Sequence, residues 1–197
     1  MTHSLHRLGS TEDLRSDYVV LACLAKDINR ETSKGREGLI RIAQILNQYD
    51  PVNIIPEMTW KISPVITVVY NNIESVKKVL LKLKEEDLGI SVVVSGLVSE
   101  IKQILEDIGL NLHTIHFSLG TFGKRELLPE KKILEITTMC GHHCISPQSI
   151  TYYIELIKKK KITVEEAARK LAKPCVCGIF NISRAISILN ELIDVGS

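Results

Sequence analysis

At 197 residues the chain is long enough to bury a proper core, in one large domain or in one compact domain with a smaller companion. With 45% hydrophobic and 24% charged residues it has an ordinary globular composition, and a formal net charge of +2 gives no general reason to expect a nucleic acid or an acidic membrane as partner. No apolar run reaches the roughly 18–20 residues of a membrane-crossing helix, and residues 1–9 carry His3, His6 and Arg7 without an apolar core, so neither a membrane span nor a secretory leader is expected.

A cytoplasmic location is therefore expected, where thiols stay reduced and clustered cysteines more often bind metal or do redox work than form disulfides. Five cysteines, an odd number, would also leave a disulfide framework unpaired.

Along the chain, Tyr18-Val19-Val20-Leu21-Ala22-Cys23-Leu24 is a continuous apolar run of the kind found in a strand buried on both faces. Leu39, Ile42, Ala43 and Leu46 then recur at helical spacing until Asp50-Pro51. Residues 65–70 read as a second strand, followed by a helix with Ile73, Val76, Leu80 and Leu83 on its apolar face and Gly89 as its stop. Residues 90–94 are β-branched, and Leu97, Ile101, Ile104, Leu105 and Ile108 line the next helix, stopped by Gly109. Residues 112–119 are expected to add a further strand. Strand and helix in alternation predict an α/β fold with a mostly parallel or mixed sheet and flanking helices, mixed if residues 53–70 form hairpins. This domain would span residues 1–128.

Residues 129–197 predict a small helical Cys/His unit. Residues 133–138 are ambiguous between strand and helix. Ser146-Pro147 is an N-cap with proline at the first helical position, ahead of Ile150, Ile154 and Ile157. Thr163 with Glu166 makes a capping box, ahead of Val164, Ala167, Ala168 and Leu171. Pro174 ends that helix, and Ile182, Ala185, Ile186, Leu189 and Ile193 define the last one.

Four of the five cysteines fall in this unit, in Cys140-Gly141-His142-His143-Cys144 and Cys175-Val176-Cys177-Gly178. Thiolate and imidazole are the donors that zinc and iron–sulfur centres select. Cys140, His142, Cys175 and Cys177 are the most economical set of four, with His143 and Cys144 as alternates. The spacing is not that of a standard zinc finger, since Cys-x-Cys replaces Cys-x-x-Cys. Cys144, Cys175 and Cys177 precede helix starts, whose partial positive charge is expected to lower a thiol's pKa, and the turns at Gly141 and Gly178 to aim backbone N–H groups at sulfur. The competing readings are a redox dithiol, a catalytic thiol beside an imidazole, and plain packing.

Other candidates carry less. Cys23 is expected to be a small packed residue of its strand. His113 and His116, three apart on a strand, would face opposite sides and cannot share a ligand. Gly120-Thr121-Phe122-Gly123-Lys124-Arg125 lacks the first glycine and the hydroxyl residue of a phosphate loop, although Gly120, Gly123 and Lys124 offer a turn that can hold an anion. Ser95-Gly96, after the strand at 90–94, is a weak candidate for a ligand loop at a sheet's carboxyl edge. A helix-turn-helix reading of residues 162–171 lacks its tight turn and leaves Arg184 as the only base-reading cation of the following helix, with the lysines at 158–161 a solvated face.

The stretches Ile136-Thr137-Thr138-Met139-Cys140-Gly141-His142 and Glu165-Glu166-Ala167-Ala168-Arg169-Lys170-Leu171-Ala172-Lys173-Pro174-Cys175-Val176-Cys177-Gly178-Ile179-Phe180-Asn181 resemble the signature of a family of conserved, functionally uncharacterised proteins of methanogenic archaea and some anaerobic bacteria. Residues 87–97 and 18–21 are also similar, so the resemblance covers most of the chain. In that pattern Cys-Gly-His is followed by a more variable pair, which implies Cys140 and His142 as ligands over His143 and Cys144. Anaerobic hosts would tolerate an exposed iron–sulfur cluster.

The sequence thus leads to a metal- or iron–sulfur-binding accessory or sensor protein of anaerobic metabolism, its α/β domain holding a protein or small-molecule partner. A thiol-dependent enzyme with a Cys/His site at the edge of the α/β domain is the alternative, and a DNA-binding regulator the weakest reading.

Overall fold

The computed structural model describes residues 7–118 and 120–194; His3, His6 and Leu119, the last residue of an expected strand, lie outside them. Among the described residues are eight α-helices and four strands. The strands are β1 (Tyr18–Cys23), β2 (Asn53–Ile54), β3 (Val65–Tyr70) and β4 (Ser91–Ser95), in the order β2-β3-β1-β4. The helices are α1 (Thr11–Leu14), α2 (Ser33–Asn47), α3 (Ile73–Glu86), α4 (Val98–Asp107), α5 (Lys131–Thr137), α6 (Pro147–Lys158), α7 (Val164–Ala172) and α8 (Ile182–Asp194). No helix among the described residues is long and apolar enough to cross a membrane.

The α/β architecture with flanking helices and a C-terminal helical Cys/His unit follows the sequence, but every strand pairing is antiparallel. β1 lies between β3 and β4 and runs against both, with Tyr18 opposite Tyr70 and Val19 opposite Ser95. β3 and β4 therefore point the same way, as a strand–helix–strand unit through α3 requires, but they are not neighbours. Sequence order reveals the crossover and not the strand inserted between its ends. The expected hairpin is present, with Asn53 opposite Val69 and Ile54 opposite Val68.

Alternation along β1 and β3 assigns the two faces. Tyr18, Val20, Ala22, Ile66, Val68 and Tyr70 join one apolar cluster with Leu39, Ile42, Ala43 and Leu46 of α2, Val76, Val79 and Leu80 of α3, and Ile101 and Ile104 of α4. Val19 and Val69 face the other way, into a second cluster built from α5–α8 that also contains Cys140, Cys175 and Cys177. The sheet is thus sandwiched, which explains why β1 is apolar at every position.

The ambiguous stretch at 133–138 is helical, in α5. The caps are as expected: Ser146 accepts from the Ser149 N–H, and Thr163 and Glu166 form the reciprocal capping box. Residues 112–118 are a correction. They form no strand, with His113 and His116 exposed.

Candidate metal centre

Each cysteine cluster occupies a tight turn at the end of a helix. After α5 the chain reverses at Cys140, where the His143 N–H donates to the Cys140 carbonyl at 2.9 Å and His143 takes a left-handed φ of 52°. After α7 the Cys175 N–H donates to the Ala172 carbonyl at 3.0 Å, and the Gly178 N–H closes back on the Cys175 carbonyl at 3.1 Å. Gly178 has a φ of +65°, and a Cβ there would overlap the backbone of Ile54 and Ile55, so only glycine lets this turn lie against β2.

Two long-range hydrogen bonds hold the second turn to the sheet, and a third ties it to the N-terminal segment. The Thr67 hydroxyl of β3 donates to the Cys177 carbonyl, Asn53 Nδ2 of β2 to the Phe180 carbonyl at 3.1 Å, and Arg7 to the Ile179 carbonyl. Behind them lies a buried polar knot. The Asp17 carboxylate accepts from Arg7 Nη1 at 2.7 and 2.6 Å, from Arg184 Nη1 at 2.7 Å and from Asn181 Nδ2 at 3.0 Å. Asn181 also caps α8 by accepting from the Arg184 N–H at 3.0 Å. Arg184 is therefore buried and paired, and it cannot read a base. None of these supporting residues carries a sequence signal beyond Asp17 standing just before an apolar strand.

The folding together of the two turns brings Cys140, His142 and Cys177 to one point, their donor atoms all within 4.8 Å of one another. Cys177 Sγ lies 3.6 Å from Cys175 Sγ and 3.6 Å from His142 Nδ1. Zinc–sulfur bonds of about 2.3 Å and zinc–nitrogen bonds of about 2.0–2.1 Å make tetrahedral edges of about 3.8 Å between sulfurs and about 3.6 Å between sulfur and nitrogen. The two spacings match edges of such a tetrahedron, and Cys140, His142 and Cys177 could hold an ion, while Cys175, expected as the fourth ligand, touches Cys177 but lies outside the group of three. The three cysteines are buried, whereas His142 and Cys144 are exposed, so the site sits just under the surface with its imidazole at the rim.

The sulfur electrostatics fit an anionic centre. Cys140 is held far below the usual thiol range by hydrogen bonds from the Cys175 and Cys177 thiols, reinforced by the backbone N–H groups of Cys144 and His142. The Ile179 N–H likewise points at the Cys175 sulfur. N–H···S contacts of this kind are the outer support found around metal-bound thiolates. Cys175 and Cys177 are pushed up, first by their hydrogen bonds to Cys140. Cys144 is also raised, by partial burial and by the negative charge on Cys140. The expected lowering of Cys144, Cys175 and Cys177 by helix starts is thus reversed, because a neighbouring thiolate outweighs a helix end.

His143 and Cys144 are exposed and outside the group of three, the Cys144 thiol lying 3.9 Å from the His142 carbonyl and hydrogen-bonding Cys140. Cys23 ends β1, half-buried, its thiol 3.4 Å from the Leu24 carbonyl. Gly120 and Gly123 have left-handed φ values of 94° and 87° and, with Lys124, sit in an exposed connector. Ser95 and Gly96 instead line a cavity at the end of β4. Compared with protein-family models, curated proteins and solved structures, the chain finds no match.

Proposed function

We propose that the chain binds one zinc ion through Cys140, His142, Cys175 and Cys177, and that this centre serves an accessory or sensor protein of anaerobic metabolism. The observation that carries the reading is the 3.6 Å spacing of Cys177 Sγ from both Cys175 Sγ and His142 Nδ1, with Cys140 in the same group. A cubane iron–sulfur cluster puts each thiolate on a different iron and needs sulfurs spread wider than the edge of one tetrahedron, so the spacing favours a mononuclear ion. With Cys175, 3.6 Å from Cys177, completing the group of three, four protein donors would leave no open position, which is the pattern of a structural rather than a hydrolytic zinc. The ion would tie the turn after α5 to the turn after α7. A thiol-dependent enzyme fits less well, because Cys140, the lowered thiol, is fully buried and out of a substrate's reach.

Elemental analysis and X-ray absorption on protein purified without oxygen test the proposal. One zinc per chain with three sulfur neighbours and one nitrogen is expected, falling well below one in Cys177→Ser. Iron with inorganic sulfide, or folded protein free of metal, overturns it.

A further inference from the structure

Cys144 lies outside the proposed zinc set but against it. It is the only exposed cysteine of the chain: Cys23 is half-buried, and Cys140, Cys175 and Cys177 are buried. A reagent arriving from water therefore meets Cys144 before any other thiol of the cluster.

The turn after α5 folds Cys144 back onto Cys140. The His143 N–H closes on the Cys140 carbonyl, and the left-handed φ of 52° at His143 reverses the chain between the two cysteines. The Cys144 thiol hydrogen-bonds Cys140, and the Cys144 backbone N–H points at the same sulfur. An exposed thiol thus touches a buried one across a tight turn. Neither residue lies in a helix, so a bond between them leaves α5 and α6 intact. Cys175 and Cys177 are also in contact, 3.6 Å between sulfurs, but both are buried and out of an oxidant's direct reach.

We propose that Cys144 is an oxidation site that controls the centre: a hydroperoxide oxidises it, and Cys140 then closes on it as a disulfide. The Cys144 thiol attacks the terminal oxygen of ROOH and the O–O bond breaks. Cys144 becomes a sulfenic acid, losing two electrons, and the peroxide leaves as the alcohol ROH, which takes the thiol's proton. The Cys140 thiolate next attacks the Cys144 sulfur. The S–O bond breaks, and hydroxide departs as water after taking one proton from solvent. In sum, a thiol, a thiolate with one proton and a hydroperoxide give a disulfide, an alcohol and water.

Release of the ion rests on the zinc reading above, whereas the disulfide does not. Once bonded to Cys144, Cys140 is no longer a thiolate donor, and only thiolates hold the metal. The centre is left with His142, Cys175 and Cys177 and loses its zinc until a thiol reductant restores Cys140.

The test treats the reduced full chain with an equimolar amount of hydrogen peroxide in the absence of oxygen. A chromogenic chelator follows zinc release, and mass spectrometry of peptides maps the oxidised cysteines. A Cys140–Cys144 disulfide is expected as the first product, with zinc released in step and bound again on reduction. Cys144→Ser keeps all four proposed ligands, so it should carry zinc like the parent and release it at least about tenfold more slowly. A Cys175–Cys177 disulfide as the first product, oxidation of Cys144 to sulfinic acid without a disulfide, zinc retained by the disulfide form, or Cys144→Ser releasing zinc at the parent's rate overturns the inference. Protein purified without zinc would count against the metal alone, since the first disulfide formed in the parent still decides the oxidation site.

Discussion

Behind the sheet, Val20 and Ala22 of β1 pack into apolar side chains of α2 and α3, whereas in front of it Thr67 and Asn53 reach across to the carbonyls of Cys177 and Phe180. Packing on the first face is non-directional and tolerates side chains of similar volume. The second face has a seam of directional hydrogen bonds, from Asp17 with Arg7 and Arg184 to the turn at Gly178, and that seam sets the cysteine turns in place. A core needs only apolar area, but the donors of a metal site need positions fixed to a fraction of an ångström.

The largest expected difference between the faces comes from metal removal. Where folding and zinc binding are fully coupled the ion contributes about 10–16 kcal/mol; here β1 and β3 keep a core of their own, so the loss should be local. Chelation or Cys177→Ser should raise amide hydrogen exchange in α7 and α8 far more than in α2 and β3. Equal exchange in all four would remove the distinction.

Asp17→Ala strands two buried guanidiniums and should cost about 3–5 kcal/mol in urea unfolding. Gly178→Ala forces a left-handed φ on a residue with a side chain and drives a Cβ into β2, so a loss of more than about 1 kcal/mol is expected, with weaker metal retention. On the apolar face, Ile42→Val should cost only about 0.5–1.5 kcal/mol and leave the metal content unchanged.

The smallest effect lies on the outer surface, where Arg41 of α2 and Glu86 of α3 form a two-pronged ion pair. The hydrogen bonds from Arg41 hold the Glu86 carboxyl at about 2, below its ordinary 4.5. Its stabilisation is therefore complete above pH 4.5 and disappears as the pH falls toward 2. The melting difference between the parent and Glu86→Gln should be small near neutrality, shrink through that window and weaken with salt.

The sequence by itself determined most local structure. The continuous apolar run at β1, the helical stripes of α2, α3 and α4, the Ser146 and Thr163 caps and the two glycine-bearing cysteine turns are all legible, because periodicity, capping and turn chemistry act over a few residues. The donor types of the candidate site were legible for the same reason. What only the tertiary structure decided is how distant pieces meet. β1 inserts between β3 and β4, and residues 112–118 form no strand despite their strand-like pattern, because strand formation depends on tertiary context more than on local propensity. Arg184, which in sequence looks like a solvent-facing cation, is buried against an aspartate 167 positions away. The lowering expected for Cys175 and Cys177 likewise reversed, since the thiolate beside them, Cys140, comes from the other turn of the chain. Contacts between remote residues depend on the whole arrangement of the sandwich, and no local pattern encodes them.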